Sequence, residues 1–447
     1  MKKLLLFLFI TLFMIFSLPE LSLASNNLQA LIDSKEEGAV LNLDNGTYEG
    51  NIVIDKTIHI IGNRKTVIRG DGTGNVISIK APGVTVKNLT VMNSSLDRNS
   101  SEEYAAIKVY ENKSTIENVI LRDFFHGIYL SQSHENTIRN VDVKGLGKGE
   151  IANQGNGLHI YYSNHNTLEN NRIEGTRDGM FLDYANHNII SNNNISQTRY
   201  ALHYMYSDKN HFVGNTFTFN TGGAAIMHSN GIKLTNNQFI FNYGHRSFGL
   251  LLLSSNDTTI ENNTFFLNQR GLYIDQSTNN LIKSNTIVQN HIGIELWASS
   301  NEQIFTLNKI DENKIPAVTL GGQGKNSWSL DQKGNDWGKS FPLLDLDEDG
   351  IGDSPLTYQS SLYQLIEDQE LTYLFLKSPA IAVYEKMNKL FHKEKVMVED
   401  SYPVVGDKER STNWIWLLLL GIGVIVTILL KGRHQLCITF GRNGKKT

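Results

Sequence analysis

Residues 157–185 read GLHIYYSNHNTLENNRIEGTRDGMFLDYA, with a glycine-led apolar segment at each end, 22 residues apart. The same opening recurs as GIYLSQS at Gly127, ALHYMYS at Ala201, GLLLLSS at Gly249, GLYIDQS at Gly271 and GIELWAS at Gly293. About eleven residues after each opening stands an apolar anchor closely followed by Asn, as in Thr167-Leu168-Glu169-Asn170-Asn171. The anchors are Val86, Ile116, Ile138, Leu168, Ile190, Phe212, Leu234, Ile260, Ile282 and Phe305, spaced by 30, 22, 30, 22, 22, 22, 26, 22 and 23 residues. A fixed period of this size is the signature of stacked repeats. The strand signals between the Gly, Asn and Ser punctuation are too short for helices. They predict an all-β, right-handed parallel β-helix in which each 22-residue unit is one coil, stacked about 4.8 Å from the next. The longer spacings predict loops near 93–104, 144–155 and 242–247. Asn118, Asn140, Asn170, Asn192, Asn236 and Asn262 suit turns with left-handed backbone, and their amides can bond along the stack.

The register also assigns faces, because strand residues alternate. Counted from the glycine, the first column (Ile128, Leu158, Met180, Leu202, Ala224, Leu250, Leu272, Ile294) is apolar. So is the third (Leu130, Ile160, Leu182, Tyr204, Ile226, Leu252, Ile274, Leu296), and both are expected in the core. The second column (Tyr129, His159, Phe181, His203, Ala225, Leu251, Tyr273, Glu295) is then expected to face outward. The fourth, which includes Asp183, Met205 and Met227, goes with it.

The ends carry different signals. Lys2 and Lys3 precede the apolar run Leu4–Leu18, and Ser22-Leu23-Ala24 offers a small-residue cleavage site. Trp414–Leu430 is long enough to span a bilayer, and Lys431, Arg433, Arg442, Lys445 and Lys446 after it place the tail in the cytoplasm. The expected organisation is a signal peptide over 1–24, the β-helix over 25–327 and an Asp-rich loop segment over 328–370. A membrane-proximal, partly helical linker follows over 371–413, broken by Pro379. A transmembrane helix over 414–430 and a basic cytoplasmic tail over 431–447 complete it. The bulk of the chain thus lies outside the cytoplasmic membrane. The single cysteine, Cys437, falls in that tail, so the exported part has no disulfide framework and no thiolate metal site. A formal net charge of −4 argues against nucleic-acid binding.

Aromatic and sulfur-bearing side chains concentrate on the predicted outer face, which marks a binding surface. His203 and Met205 share one strand and one face; Met227 follows Met205 one coil along, with His228 beside it. His159 lies two coils from His203 in its column, and Asp183 precedes Met205. Thioether and imidazole donors suit Cu(I), while interface padding is the plainer alternative. For carbohydrate chemistry, Asp178, Asp183, Asp275 and Glu295 are candidates, with Arg177 and Arg199 near, but no tight carboxylate pair emerges. Asp345, Asp347, Asp349 and Asp353 occupy positions 1, 3, 5 and 9 of a calcium-like loop with Gly350 at position 6; Leu356 stands where a bidentate Glu belongs. A structural Ca²⁺ loop and a charged surface turn are both open.

At Thr198-Arg199-Tyr200-Ala201-Leu202-His203-Tyr204-Met205-Tyr206-Ser207, flanked by Asp178-Gly179-Met180-Phe181 and Ala225-Ile226-Met227-His228-Ser229, the chain resembles the NosD family of nitrous oxide reductase maturation proteins. Asn335-Asp336-Trp337 and Gly350-Ile351-Gly352-Asp353-Ser354-Pro355 carry the resemblance onward, as do Pro379-Ala380 and Asp400–Pro403. The resemblance implies a non-enzymatic extracytoplasmic β-helix that delivers copper to apo nitrous oxide reductase for assembly of its copper–sulfur centre. Implied partners are an ABC transporter (ATPase and permease) and a copper chaperone. The residues alone leave two alternatives: a carbohydrate-active lyase or epimerase, and a non-catalytic surface scaffold.

Overall fold

A computed structural model describes residues 27–405, apart from 147–148, 245, 323, 370 and 392. The signal peptide, transmembrane helix and cytoplasmic tail expected at the two ends lie outside the described residues. Among those described, no helix is long and apolar enough to cross a membrane.

The repeat folds as a parallel β-solenoid. Three parallel sheets of twelve strands each run its length, and every strand pairs with its counterparts on the coils before and after. The first sheet holds the anchor strands, such as Thr167–Glu169 and Ile189–Ser191; the second holds Arg172–Glu174 and its equivalents; the third holds the glycine-led strands, such as Asp178–Asp183 and Tyr200–Met205. The helix Leu28–Asp33 caps the open end by burying Leu28 and Ile32. At the other end the stack runs past 327, because Ser327 and Asp336 bridge to Ile304 and Lys309.

Two positions in each unit build the coil. The asparagines after the anchors have left-handed backbone, with φ between 53° and 57° at Asn118, Asn140, Asn170, Asn192, Asn236 and Asn262. The next residue does something else. Asn171, Asn193, Asn215, Asn237, Asn263, Asn285 and Asn308 are buried. Asn215 shows the pattern: its Oδ1 accepts the Asn193 backbone N–H and Nδ2, both at 2.9 Å, while its own Nδ2 donates to Ile190 O at 2.8 Å and Asn237 Oδ1 at 3.0 Å. The turn closes polar groups that burial would otherwise strand.

The leading glycine has its own reason. A Cβ on Gly157 would sit 2.6 Å from the Gly179 carbonyl oxygen and 2.5 Å from Ile173 Cγ2, so the position points into the core and tolerates almost nothing. Its equivalent Ala201 is packed in the core cluster. Coil pairing passes over this position, running Asp178↔Tyr200 and then Met180↔Leu202. Strict alternation therefore slips by one at the glycine. The residue just before it joins the outer face with the second column.

The first and third columns are buried as expected. The outward columns are not broadly solvated, however: Tyr129, His159, Ala225, Leu251 and Glu295 are also buried. The 93–104 insertion and residues 149–155 of the next one fold over one half of that face, tied together by Arg98 and Asn153. The C-terminal segment covers the other half, where Tyr373 donates to Glu295 at 3.0 Å. That segment is more ordered than a loop and linker: strands Leu356–Ser360 and Lys395–Asp400 pair antiparallel, around helices Leu362–Asp368, Thr372–Phe375 and Pro379–Leu390. Pro379 starts the last helix rather than breaking one, since a first-turn proline has no intrahelical N–H bond to lose.

Replacing Asn215 by Leu strands four polar partners and is expected to cost about 3 kcal/mol or more in urea unfolding. Asn194→Ala, on the exposed side of the preceding coil, stays within about 0.5 kcal/mol.

Candidate functional site

Between the two covers the outer face stays partly open. Phe181, Asp183, Tyr200, His203, Met205 and Met227 are all half-buried there. In register, Asp183 pairs with Met205 and Met205 with Met227, so these three side chains stand in one row across three coils. The structure thus brings together Asp183, His203, Met205 and Met227 from the predicted set.

His203 is held by a carboxylate that strict alternation would put on the core face. Asp178, at the slipped position before Gly179, is buried, and its Oδ2 lies 3.0 Å from His203 Nδ1. Arg199 grips the same carboxylate through Nε at 2.9 Å and Nη2 at 2.6 Å. Burial works against an ionised Asp178, but the hydrogen bonds from His203 and Arg199 outweigh it and keep the carboxyl below its usual range. A carboxylate on Nδ1 sets the ring proton there and leaves the Nε2 lone pair free, the arrangement that orients metal-binding histidines. It also consumes Asp178, so no carboxylate pair of the glycosidase kind forms with Asp183. Burial raises the Asp183 carboxyl, with His203 partly opposing the shift.

Two predicted residues sit elsewhere. His228 has left-handed backbone (φ 50°) and leaves the strand row. It ends a stacked ladder of turn residues, Tyr162–Tyr184–Tyr206–His228, with ring centroids 4.6, 5.1 and 5.1 Å apart. His159 lies in the second column but under the insertions, 5% exposed, among Tyr129, Phe181 and His126. It groups with Glu103 and His126, whose ligating atoms and its own lie within 4.8 Å of one another. Neither partner was singled out in sequence. Glu103 belongs to an insertion with no repeat register, and His126, like Asp178, occupies the position before the glycine. The signal was there as a column: His126, Asp178 and Arg270 are polar residues at equivalent points of their coils.

In the Asp-rich loop, ligand oxygens of Asp345, Asp347 and Asp349 lie within 4.8 Å of one another. Asp353 is not in that group; its Oδ2 accepts the Leu346 N–H at 2.9 Å and braces the turn. Asp345 does the same for Gly350 at 3.1 Å.

Fold and site together define a parallel β-solenoid whose outer face offers an oriented imidazole and two thioethers. The chain belongs to the family described as periplasmic copper-binding protein (NosD), whose model matches residues 25–176 and 146–340. It is 30% identical over 118 residues to the "Probable ABC transporter binding protein NosD" of Pseudomonas aeruginosa, a match spanning 26% of this chain and 27% of that protein. In shape it is similar to the mannuronan C-5 epimerase AlgE6 A-module of Azotobacter vinelandii (TM-score 0.49, 15% identity, 68% of this chain and 93% of that one). It is also similar to the periplasmic alginate epimerase AlgG (TM-score 0.48, 14% identity, 68% and 83%).

Burial, then the Lys108 and Arg177 charges, depress His126 to about 3. Burial and neighbouring positive groups also push His159 well down. In the unfolded chain both protonate near 6.5. The unfolded state therefore takes up protons first as pH falls. Their stability contribution is intact above about pH 6.5 and is lost toward pH 3, at up to about 1.4 kcal/mol per pH unit per imidazole. Urea unfolding from pH 7 to 5 is expected to show this slope in the native chain and a shallower one in His126→Gln; identical slopes contradict it.

Proposed function

We propose that this chain is an extracytoplasmic copper-handling accessory protein, tethered by residues 414–430, that supplies Cu(I) to apo nitrous oxide reductase. One observation carries the reading: His203, locked by Asp178 with its Nε2 free, shares an open face with Met205 and Met227. Thioether and neutral imidazole together are a soft set that favours Cu(I) where no free thiol exists. The family description as periplasmic copper-binding proteins supports the metal. In this reading Asp183 supplies negative charge beside the row, and His228 stands at its edge in the tyrosine ladder rather than among the ligands.

The protein is read as non-catalytic. Copper is its cargo, and the chain's part is to hold it and present it. The name of the Pseudomonas aeruginosa relative supports an ABC transporter as partner. Its ATPase and permease subunits would drive the cycle, with a copper chaperone as donor. Asp345, Asp347 and Asp349 would take a structural Ca²⁺ that stiffens the segment below the solenoid.

Cu(I) titration of the full chain against a competing chelator tests the assignment. Met205→Leu and Met227→Leu are each expected to weaken binding about tenfold or more, and Asp178→Asn, which frees the imidazole, by about 10–100-fold. Affinities unchanged in all three variants remove the window as the copper site.

A further inference from the structure

We propose that Glu103, His126 and His159 form a second metal site, sealed under the two N-terminal insertions, that takes a borderline divalent ion of the zinc or copper(II) class. Glu103 comes from the 93–104 insertion, His126 from the strand His126–Ser131, and His159 from the strand Leu158–Tyr161 one coil on. Their ligating atoms fall within 4.8 Å of one another, close enough to converge on one ion. His126 and His159 are 4% and 5% exposed. Yet His126 Nε2 and both nitrogens of His159 are buried with no hydrogen-bond partner. Bare buried nitrogens are costly and need a reason. Two neutral imidazoles and a carboxylate are a recurrent ligand set for such ions. No thioether is among them, so the pocket differs in softness from the His203, Met205 and Met227 window and stands independently of the copper-delivery reading.

Aromatic packing does not account for His159. Tyr129, His159, Phe181 and His203 form a column of rings at 4.4, 4.8 and 4.6 Å, which a phenylalanine would continue without burying polar atoms. The rest of the pocket is already arranged for a ligand. Tyr129 donates to Glu103 Oε2 at 2.8 Å, which orients the carboxylate and leaves Oε1 available. Besides burial, Lys108 acts on both imidazoles, Arg177 on His126, and His126 and His203 on His159. These charges favour the neutral, ligating form but also repel an incoming cation, so the Glu103 carboxyl group is indispensable to the set. Lys108 is held back over the Tyr129 ring, 4.7 Å from its centroid, and bonds the Glu102 carbonyl.

Loading has a conformational consequence. His126 Nδ1 accepts the Asn156 N–H at 3.0 Å, which places the proton of the neutral ring on Nε2. Ligation through Nε2 needs that proton on Nδ1 instead, so the Asn156 amide must turn away. Asn156 stands directly after the 144–155 insertion, at the coil position equivalent to His126 and Asp178, and its carbonyl accepts the Gly127 N–H at 3.0 Å. Filling the site therefore loosens the coil at the point where the insertion rejoins it.

The test is titration of the full chain with Zn²⁺, and in parallel with Co²⁺, whose visible bands report four-coordinate ligation. The native chain is expected to bind one equivalent more than His159→Phe, and Glu103→Gln to bind that equivalent at least tenfold more weakly. His165→Gln, at the exposed stacked pair with His187, should change nothing. Without metal, His159→Phe should melt higher than the native chain, because the bare nitrogens are gone; with Zn²⁺ only the native chain should gain. Equal stoichiometry in the native chain, His159→Phe and Glu103→Gln assigns the ion to surface groups and overturns the proposal. Absence of any Zn²⁺-induced stabilisation of the native chain overturns it as well. Glu103→Gln, a change at a partly exposed insertion residue, keeps the question decidable if His159→Phe does not fold.

Discussion

Coil-to-coil register is the constraint on which the rest of this molecule depends, and the buried asparagine ladder enforces it. Each asparagine amide closes a backbone N–H and a carbonyl of the preceding coil, as Asn215 does with Asn193 and Ile190. A slip by one residue would strand several buried polar groups on every coil at once. Hydrophobic stacking alone, as in Phe217–Phe239–Phe265, tolerates sliding far better because it is non-directional. Polar bonding therefore sets the register, and apolar burial supplies the bulk of the driving force.

From that register follows the geometry of the outer face. The coils approach so closely at the leading glycine that alternation slips there, and the slip turns His126, Asp178 and Arg270 outward. Each then meets a second-column residue of the next coil: His126 with His159, Asp178 with His203, Arg270 with Glu295. One backbone device repeated along the solenoid has thus produced three different local chemistries. In the first, an imidazole pair lies under a loop roof. In the second, a carboxylate clamps a half-open histidine. In the third, Arg270 and Glu295 form a buried ion pair that helps seat the C-terminal segment through Tyr373. The two covers decide which of these face the solvent, and only the central one does.

The coils, the two core columns and the pairing of Met205 with Met227 were legible in the sequence because a 22-residue period needs only counting. So were the left-handed turn asparagines. The partners of His159 and His203 were not, since alternation assumes an unbroken strand and the glycine interrupts it. Burial of the outer columns was hidden for another reason. The 93–104 and 144–155 insertions depart from the period, and sequence marks where they leave the coil but not where they fold back. His228 was misplaced because it follows the strand directly, yet takes the turn conformation of Tyr162, Tyr184 and Tyr206.

The central claim is that the open window between the covers holds Cu(I) through one imidazole and two thioethers. X-ray absorption at the copper edge of the Cu(I)-loaded chain tests it most directly. Sulfur scatterers together with a nitrogen are expected, with the sulfur contribution falling on replacement of Met205 or Met227. A first shell of nitrogen and oxygen alone, unchanged by either replacement, would contradict it.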